Sequence, residues 1–131
     1  MTYLVDSDWV ADYLKGRSEA LALLRSLEAE GLAISIITYG EIYEGIYYGP
    51  NAQSHEAGFR QFLRGVKVVP LTRQTMHQFA RVRGQLRRKG QLIGDPDLLI
   101  AATRLCPGLT LVSRYHKHFE RIPGLQLHQS S

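Results

Sequence analysis

Apolar and polar positions along the chain switch repeatedly between two periods. Thr2–Val5 is a short apolar run of strand length, and Trp9, Val10, Tyr13 and Leu14 then recur at helical spacing until Gly16. Ser18 can cap a second helix whose Ala20, Leu24 and Leu27 share one face, stopped at Gly31. Leu32–Ile37 is a β-branched strand, and Thr38 to about Tyr48 returns to helix before Gly49-Pro50 breaks it. Phe59, Phe62 and Leu63 mark a further helix, followed by the strand Val66–Val69. Met76, Phe79, Val82 and Leu86 line the buried side of a long helix. Pro96 to about Leu105 reads as helix, Leu109–Val112 as strand, and Leu125–Leu127 as a last edge strand.

No internal repeat, low-complexity tract or linker interrupts this alternation, so residues 1–131 are read as a single domain, long enough to bury a core unaided. Strands alternating with helices predict an α/β fold, a mainly parallel central sheet covered on both faces. Ligands of such open sheets collect beyond the carboxyl ends of the strands. That rule says where to look for chemistry.

Three segments bring acids to strand ends or helix starts. Asp6 follows its strand directly, with Ser7 and Asp8 next. Glu41 is expected in the first turn of the helix after Leu32–Ile37, and Asp95 and Asp97 open the Pro96–Leu105 helix. Gathered carboxylates repel one another unless a cation neutralises them, and an all-oxygen set suits Mg²⁺ or Mn²⁺. Each acid also has a plain structural reading. Ser7 or Asp8 could be an N-cap, Thr38 and Glu41 have the spacing of a capping box, and Asp95-Pro96 looks like a cap followed by proline. Capping leaves Asp6 unexplained, since an apolar strand leads straight into it.

Charge adds a second feature. Lys and Arg total 16 against 12 Asp and Glu, a formal +4, but the signs are segregated. Ala57 to Gly94 carries no acid and holds Arg60, Arg64, Lys67, Arg73, Arg81, Arg83, Arg87, Arg88 and Lys89. Such a block attracts a polyanion, RNA or an acidic protein segment, or simply solvates a helix face. One cysteine, Cys106, excludes an intrachain disulfide and suits a reducing cytoplasm. The start lacks the basic region of a signal peptide, and no apolar run approaches the roughly 20 residues that span a bilayer, so neither secretion nor membrane insertion is expected.

Four blocks together resemble the PIN domain and, within it, the VapC-like toxins of type II toxin–antitoxin systems. They are Tyr3-Leu4-Val5-Asp6-Ser7-Asp8, Ile37 to Gly45, Ile93 to Thr103, and Leu109 to Arg114 with His118 to Leu125. The resemblance implies a PIN-like α/β/α sandwich and an acidic pocket for one or two divalent ions. Asp6, Glu41 and Asp97 match the family's three acids, Asp95 is an additional acid and candidate ligand, and Ser113 matches a small hydroxyl residue; Ser7, Asp8 and Thr38 would support them. The family usually has Asn or Asp where Tyr115 stands, so one metal or two stays open, and His116 and His118 are read as surface residues.

The expected activity is Mg²⁺-dependent endoribonuclease action, Mn²⁺ substituting, by which a toxin cuts RNA and inhibits translation. Asp6 and Asp97 would ligate the ion, Glu41 with Asp95 would hold the attacking water, and Arg81, Arg87 and Arg88 would grip RNA. The family also implies a cognate antitoxin and a homodimer. Tyr39, Tyr43 and Tyr47 form a stripe that could serve either contact or belong to the core. Two alternatives remain at this point. One is a weakened PIN-like binding module. The other is a haloacid-dehalogenase-type phosphatase, which also begins Asp-x-Asp and needs a lysine such as Lys67 or Lys89 opposite Asp6.

Overall fold

The computed structural model describes residues 2–105, 109–113, 119–122 and 125. Strands β1 (Thr2–Val5), β2 (Leu32–Ser35), β3 (Val66–Val69) and β4 (Leu109–Val112) form one sheet in the order β3-β2-β1-β4. Every neighbouring pair is parallel. Parallel neighbours need crossovers, which the helices supply: α1 (Ser7–Leu14), α2 (Ser18–Leu27), α3 (Ile36–Tyr48), α4 (Ala52–Leu63), α5 (Arg73–Arg88) and α6 (Asp95–Leu105).

Successive strand residues face opposite sides, and both sides are apolar. Val5, Ile34 and Val112 join Trp9, Val10, Leu24, Ile42 and Phe59 beneath α1 to α4. Leu4, Ala33 and Leu111 join Val82, Leu86, Leu98 and Ala101 beneath α5 and α6. A parallel sheet buried on both faces requires this two-sided hydrophobicity. The expected α/β/α sandwich is the fold found. No described helix is long and apolar enough to cross a membrane.

Several element ends differ from the sequence reading, each for a local reason. β2 stops at Ser35, because the Ser35 Oγ accepts the Thr38 N–H at 3.0 Å and caps α3 from Ile36 onward. Thr38 therefore lies inside the helix, the Thr38–Glu41 capping box does not form, and Glu41 moves to the second turn. Asp6 is itself the N-cap of α1, accepting from the Ser7 N–H, so Ser7 and Asp8 are helical residues. Arg17, not Ser18, holds the cap position of α2 and makes no side-chain cap bond. α6 starts at Asp95, with the Gly94 carbonyl accepting from the Leu98 N–H at 3.0 Å, so Asp95 is not the residue before the helix. On α5 the buried seam is Thr75, Val82 and Leu86 with Phe79 half-buried, while Met76 is 40% exposed. Thr75 turns inward because the Thr72 Oγ1 accepts its N–H and meets its hydroxyl at 3.0 Å. Gln126 and Leu127 of the expected last strand lie outside the described residues, as do Cys106, Tyr115, His116 and His118.

Candidate active site

β1 is the strand from which the chain departs in both directions, β2 and β3 lying on one side and β4 on the other. The crevice at its carboxyl end is the topological switch point, where α/β sheets bind ligands. The register Val5↔Val112 sets the next residues of the two strands, Asp6 and Ser113, side by side. The Asp6 N–H bonds the Val112 carbonyl at 2.9 Å and carries the ladder one residue further.

Asp6 is 3% exposed, which is unusual for a carboxylate with no described ion pair. Its Oδ1 accepts from the Ser7 N–H at 2.7 Å and its Oδ2 from the Ser113 Oγ at 2.8 Å. Burial nevertheless pushes its pKa up from 3.8 to about 6; the bonds from Ser113 and Ser7 pull it down, and the charges of Asp97 and Asp8 push it further up. Two other segments reach the same place. Asp97, in the first turn of α6, is half-buried and acts on Asp6 through its charge. Glu41 is joined through Ser7, whose Oγ donates to Glu41 Oε1 at 2.6 Å and lies 3.1 Å from Thr38 Oγ1. Thr38 and Ser113 are fully buried behind these acids.

Asp95 is placed differently. Its Oδ1 lies 3.4 Å from Arg83 Nε, and its side chain is 62% exposed. Sequence reasoning missed two contributors here. Nothing in the sequence separates Arg83 from the rest of its basic run, whereas Ser35 could have been found as the start of a Ser-x-x-Thr step at the end of β2.

The donors suit a hard divalent cation. They are carboxylate and hydroxyl oxygens, and each Asp6 oxygen retains a lone pair beyond the one its bond uses. Among the described residues no three His, Cys, Asp or Glu side chains enclose an ion on their own. The fit is therefore to an ion held by one or two carboxylates, with water completing its shell. A phosphoaspartate mechanism finds less support. Lys67 is exposed on β3, two strands from Asp6, and Lys89 is the C-cap of α5. Among the described residues, the groups acting on Asp6 are hydroxyl, amide and acid.

The basic stretch lies mostly on α4 and α5 and is partly neutralised from its two ends. Glu56 meets Arg60 at 3.1 Å, and Asp95 meets Arg83. Arg81 leans on Gln78 Oε1, with Nε at 3.2 Å. Arg87 and Arg88 are exposed in the last turn of α5. Of the tyrosine stripe, Tyr39 and Tyr43 pack on Phe59 with ring centroids 5.7 and 5.5 Å away, while Tyr47 is 69% exposed. A cavity of about 360 Å³ lined by Tyr13, Leu24, Phe62, Arg64 and Val66 opens beside α1, α2 and α4, and no candidate acid lines it.

Known proteins share this fold. Residues 3–125 match the PIN domain. Ribonuclease VapC1 of Methanocaldococcus jannaschii is 33% identical over 127 residues, covering 95% of this chain and 85% of that protein. The structure of VapBC2 from Rickettsia felis, bound to a DNA fragment from their promoter, superposes with a TM-score of 0.91 at 26% identity over 100% of both chains. A toxin–antitoxin complex from Klebsiella pneumoniae matches with a TM-score of 0.73 at 27% identity, over 94% of each chain. A parallel sheet with its acid at the switch point, matched nearly end to end, places this chain in the PIN domain family, among the VapC ribonucleases.

Proposed function

We propose that this protein is a Mg²⁺-dependent endoribonuclease, the toxin of a toxin–antitoxin pair, which inhibits translation by cutting RNA. The observation that carries the reading is Asp6, a buried carboxylate at the switch point on which the charges of two other acids act. Asp6 caps α1, but a cap does not require burial, and a buried charge is costly unless a cation joins it.

In this reading Asp6 and Asp97 hold the ion, Mg²⁺ or Mn²⁺. Bound there, a divalent ion supplies Lewis acidity toward phosphate oxygens and acidifies water. The Ser7 N–H and the Ser113 hydroxyl fix both Asp6 oxygens, so the carboxylate need not reorganise during the reaction. Glu41, held at Oε1 by Ser7, orients the attacking water and accepts its proton at Oε2. Arg87 and Arg88, with Arg81, grip the RNA backbone without reading its sequence. The solved relatives are toxin–antitoxin assemblies, and a cognate antitoxin is the partner we assign to this chain as well.

The test is Asp6→Asn, which keeps the side chain's shape and removes its charge. The variant should melt as a folded protein, lose Mg²⁺-dependent cleavage of RNA, and no longer arrest growth when expressed. A folded Asp6→Asn protein that still cuts RNA would refute the assignment.

A further inference from the structure

Ser7 touches two of the acids at once. Its N–H donates to Asp6 Oδ1 at 2.7 Å, and its hydroxyl donates to Glu41 Oε1 at 2.6 Å. The second bond spans 34 positions of sequence and ties the start of α1 to the second turn of α3. A hydroxyl has one proton, and a short contact to a carboxylate holds most of it. The same Ser7 hydroxyl also points at Thr38 Oγ1, a longer contact of 3.1 Å in which Thr38 accepts. Thr38 Oγ1 in turn lies 3.4 Å from the Ser35 Oγ, which also accepts the Thr38 N–H. Ser7 and Ser35 thus converge on Thr38 Oγ1, and the shorter bond of Ser7 runs outward to Glu41. Ser35 and Thr38 are fully buried, so this hydroxyl cluster is anchored at its inner end.

Glu41 needs such an anchor. It occupies an exposed helix position, where a glutamate is free to rotate among its rotamers. Asp6, in contrast, is fixed by burial and two bonds. A glutamate that must meet the same reacting atoms as Asp6 has to be registered against it. Ser7 does this with two groups separated by its own covalent frame.

We infer that Ser7 is a positioning residue, whose hydroxyl holds Glu41 in register with Asp6 while its amide holds Asp6. This deepens the nuclease reading and rests on it for its kinetic consequence. Ser7→Ala separates the two duties, because the amide remains and the hydroxyl goes. Ser7→Thr restores the hydroxyl.

The experiment compares wild type, Ser7→Ala and Ser7→Thr in three measurements. In a crystal structure of metal-free Ser7→Ala, the Glu41 carboxylate should leave its place while Asp6 keeps its bond to the residue 7 amide. In RNA cleavage with Mg²⁺, kcat should fall roughly 10- to 100-fold, as a misplacement of about 1 Å costs, with KM within about twofold of wild type. In calorimetry, Ser7→Ala should bind Mn²⁺ within about twofold of wild type, because the residue 7 amide still holds Asp6, and Ser7→Thr should recover kcat. Glu41 unmoved in Ser7→Ala, or an unchanged kcat, overturns the proposal. So does a Ser7→Thr protein as impaired as Ser7→Ala. Should wild type prove inactive with Mg²⁺, the nuclease reading fails, and the position of Glu41 in the Ser7→Ala crystal still decides the role of Ser7.

Discussion

The end of β1 and the head of α6 each present an acid that sequence reasoning placed at the metal, and they give those acids opposite surroundings. Asp6 is 3% exposed, tied by a hydroxyl and an amide, and faces the charges of Asp97 and Asp8. Asp95, two residues before Asp97, is 62% exposed on its side chain and lies 3.4 Å from Arg83. Water and a guanidinium already screen Asp95, so a divalent ion has little left to neutralise there. Among the described residues, Asp6 has no such screen. The number of carboxylates at a sheet edge therefore says less than which of them is buried without a counter-charge.

The sharpest test of this contrast is activity. Asp6→Asn should lower Mg²⁺-dependent cleavage by roughly a thousandfold, since charge stabilisation by a bound ion contributes several kcal/mol to the transition state. Asp97→Asn should act in the same direction. Equal losses for Asp6→Asn and Asp95→Asn in a single-turnover assay would erase the distinction.

Stability should report the same burial without any RNA. The Asp6 carboxyl rises from 3.8 to about 6 on folding. A raised carboxyl gives stability that is full below the unfolded value and lost as pH climbs through the folded one. In chelator-treated protein, about 3 kcal/mol of stability attributable to Asp6 should therefore disappear between about pH 4 and pH 6. Asp6→Asn should flatten that part of the profile, measured by urea melts, and be the more stable protein at neutral pH. Mn²⁺ should restore the wild-type loss. An unchanged slope in Asp6→Asn would show that burying the carboxyl carries no such penalty.

Much of this is legible in the sequence. The strands β1, β3 and β4 have their expected bounds, because short apolar runs between helices leave few other choices. Asp6, Glu41 and Asp97 can be named from their places at strand ends and helix starts and from the family blocks. What stays hidden are relations across distant segments. Two equally spaced hydroxyl steps, Ser35 to Thr38 and Thr38 to Glu41, compete to begin α3, and only packing decides for Ser35. Ser7 reads as a cap candidate, and its bond to Glu41 joins elements whose proximity depends on the sheet order. The pairing of Asp95 with Arg83 likewise depends on how α6 docks on α5.

The basic helix offers a smaller effect of a different kind. Arg87→Ala with Arg88→Ala should weaken binding of single-stranded RNA roughly tenfold at moderate salt, and reduce the salt slope by about 0.7 for each phosphate no longer neutralised. Turnover at saturating RNA should not change, because neither side chain belongs to the acid site. A fall in kcat with an unaltered salt slope would move these arginines from the substrate path to the chemistry.

The smallest change is expected at Asp95, and for that reason it discriminates well. Exposed ion pairs contribute up to about 1 kcal/mol, so Asp95→Asn should alter cleavage within about fivefold and leave Mn²⁺ affinity nearly intact. A double-mutant cycle with Arg83→Gln separates the two roles open to Asp95. If it acts only through Arg83, the double variant should lose no more than either single one, because the pair is a single interaction. If Asp95 reaches the ion, Asp95→Asn should weaken Mn²⁺ binding whether or not Arg83 is present. Arg83→Gln alone would then tighten it, by releasing a carboxylate to the metal. The sign of the Arg83→Gln effect on Mn²⁺ affinity thus decides whether the head of α6 is a second arm of the metal site or a surface clasp that holds Asp97 in place.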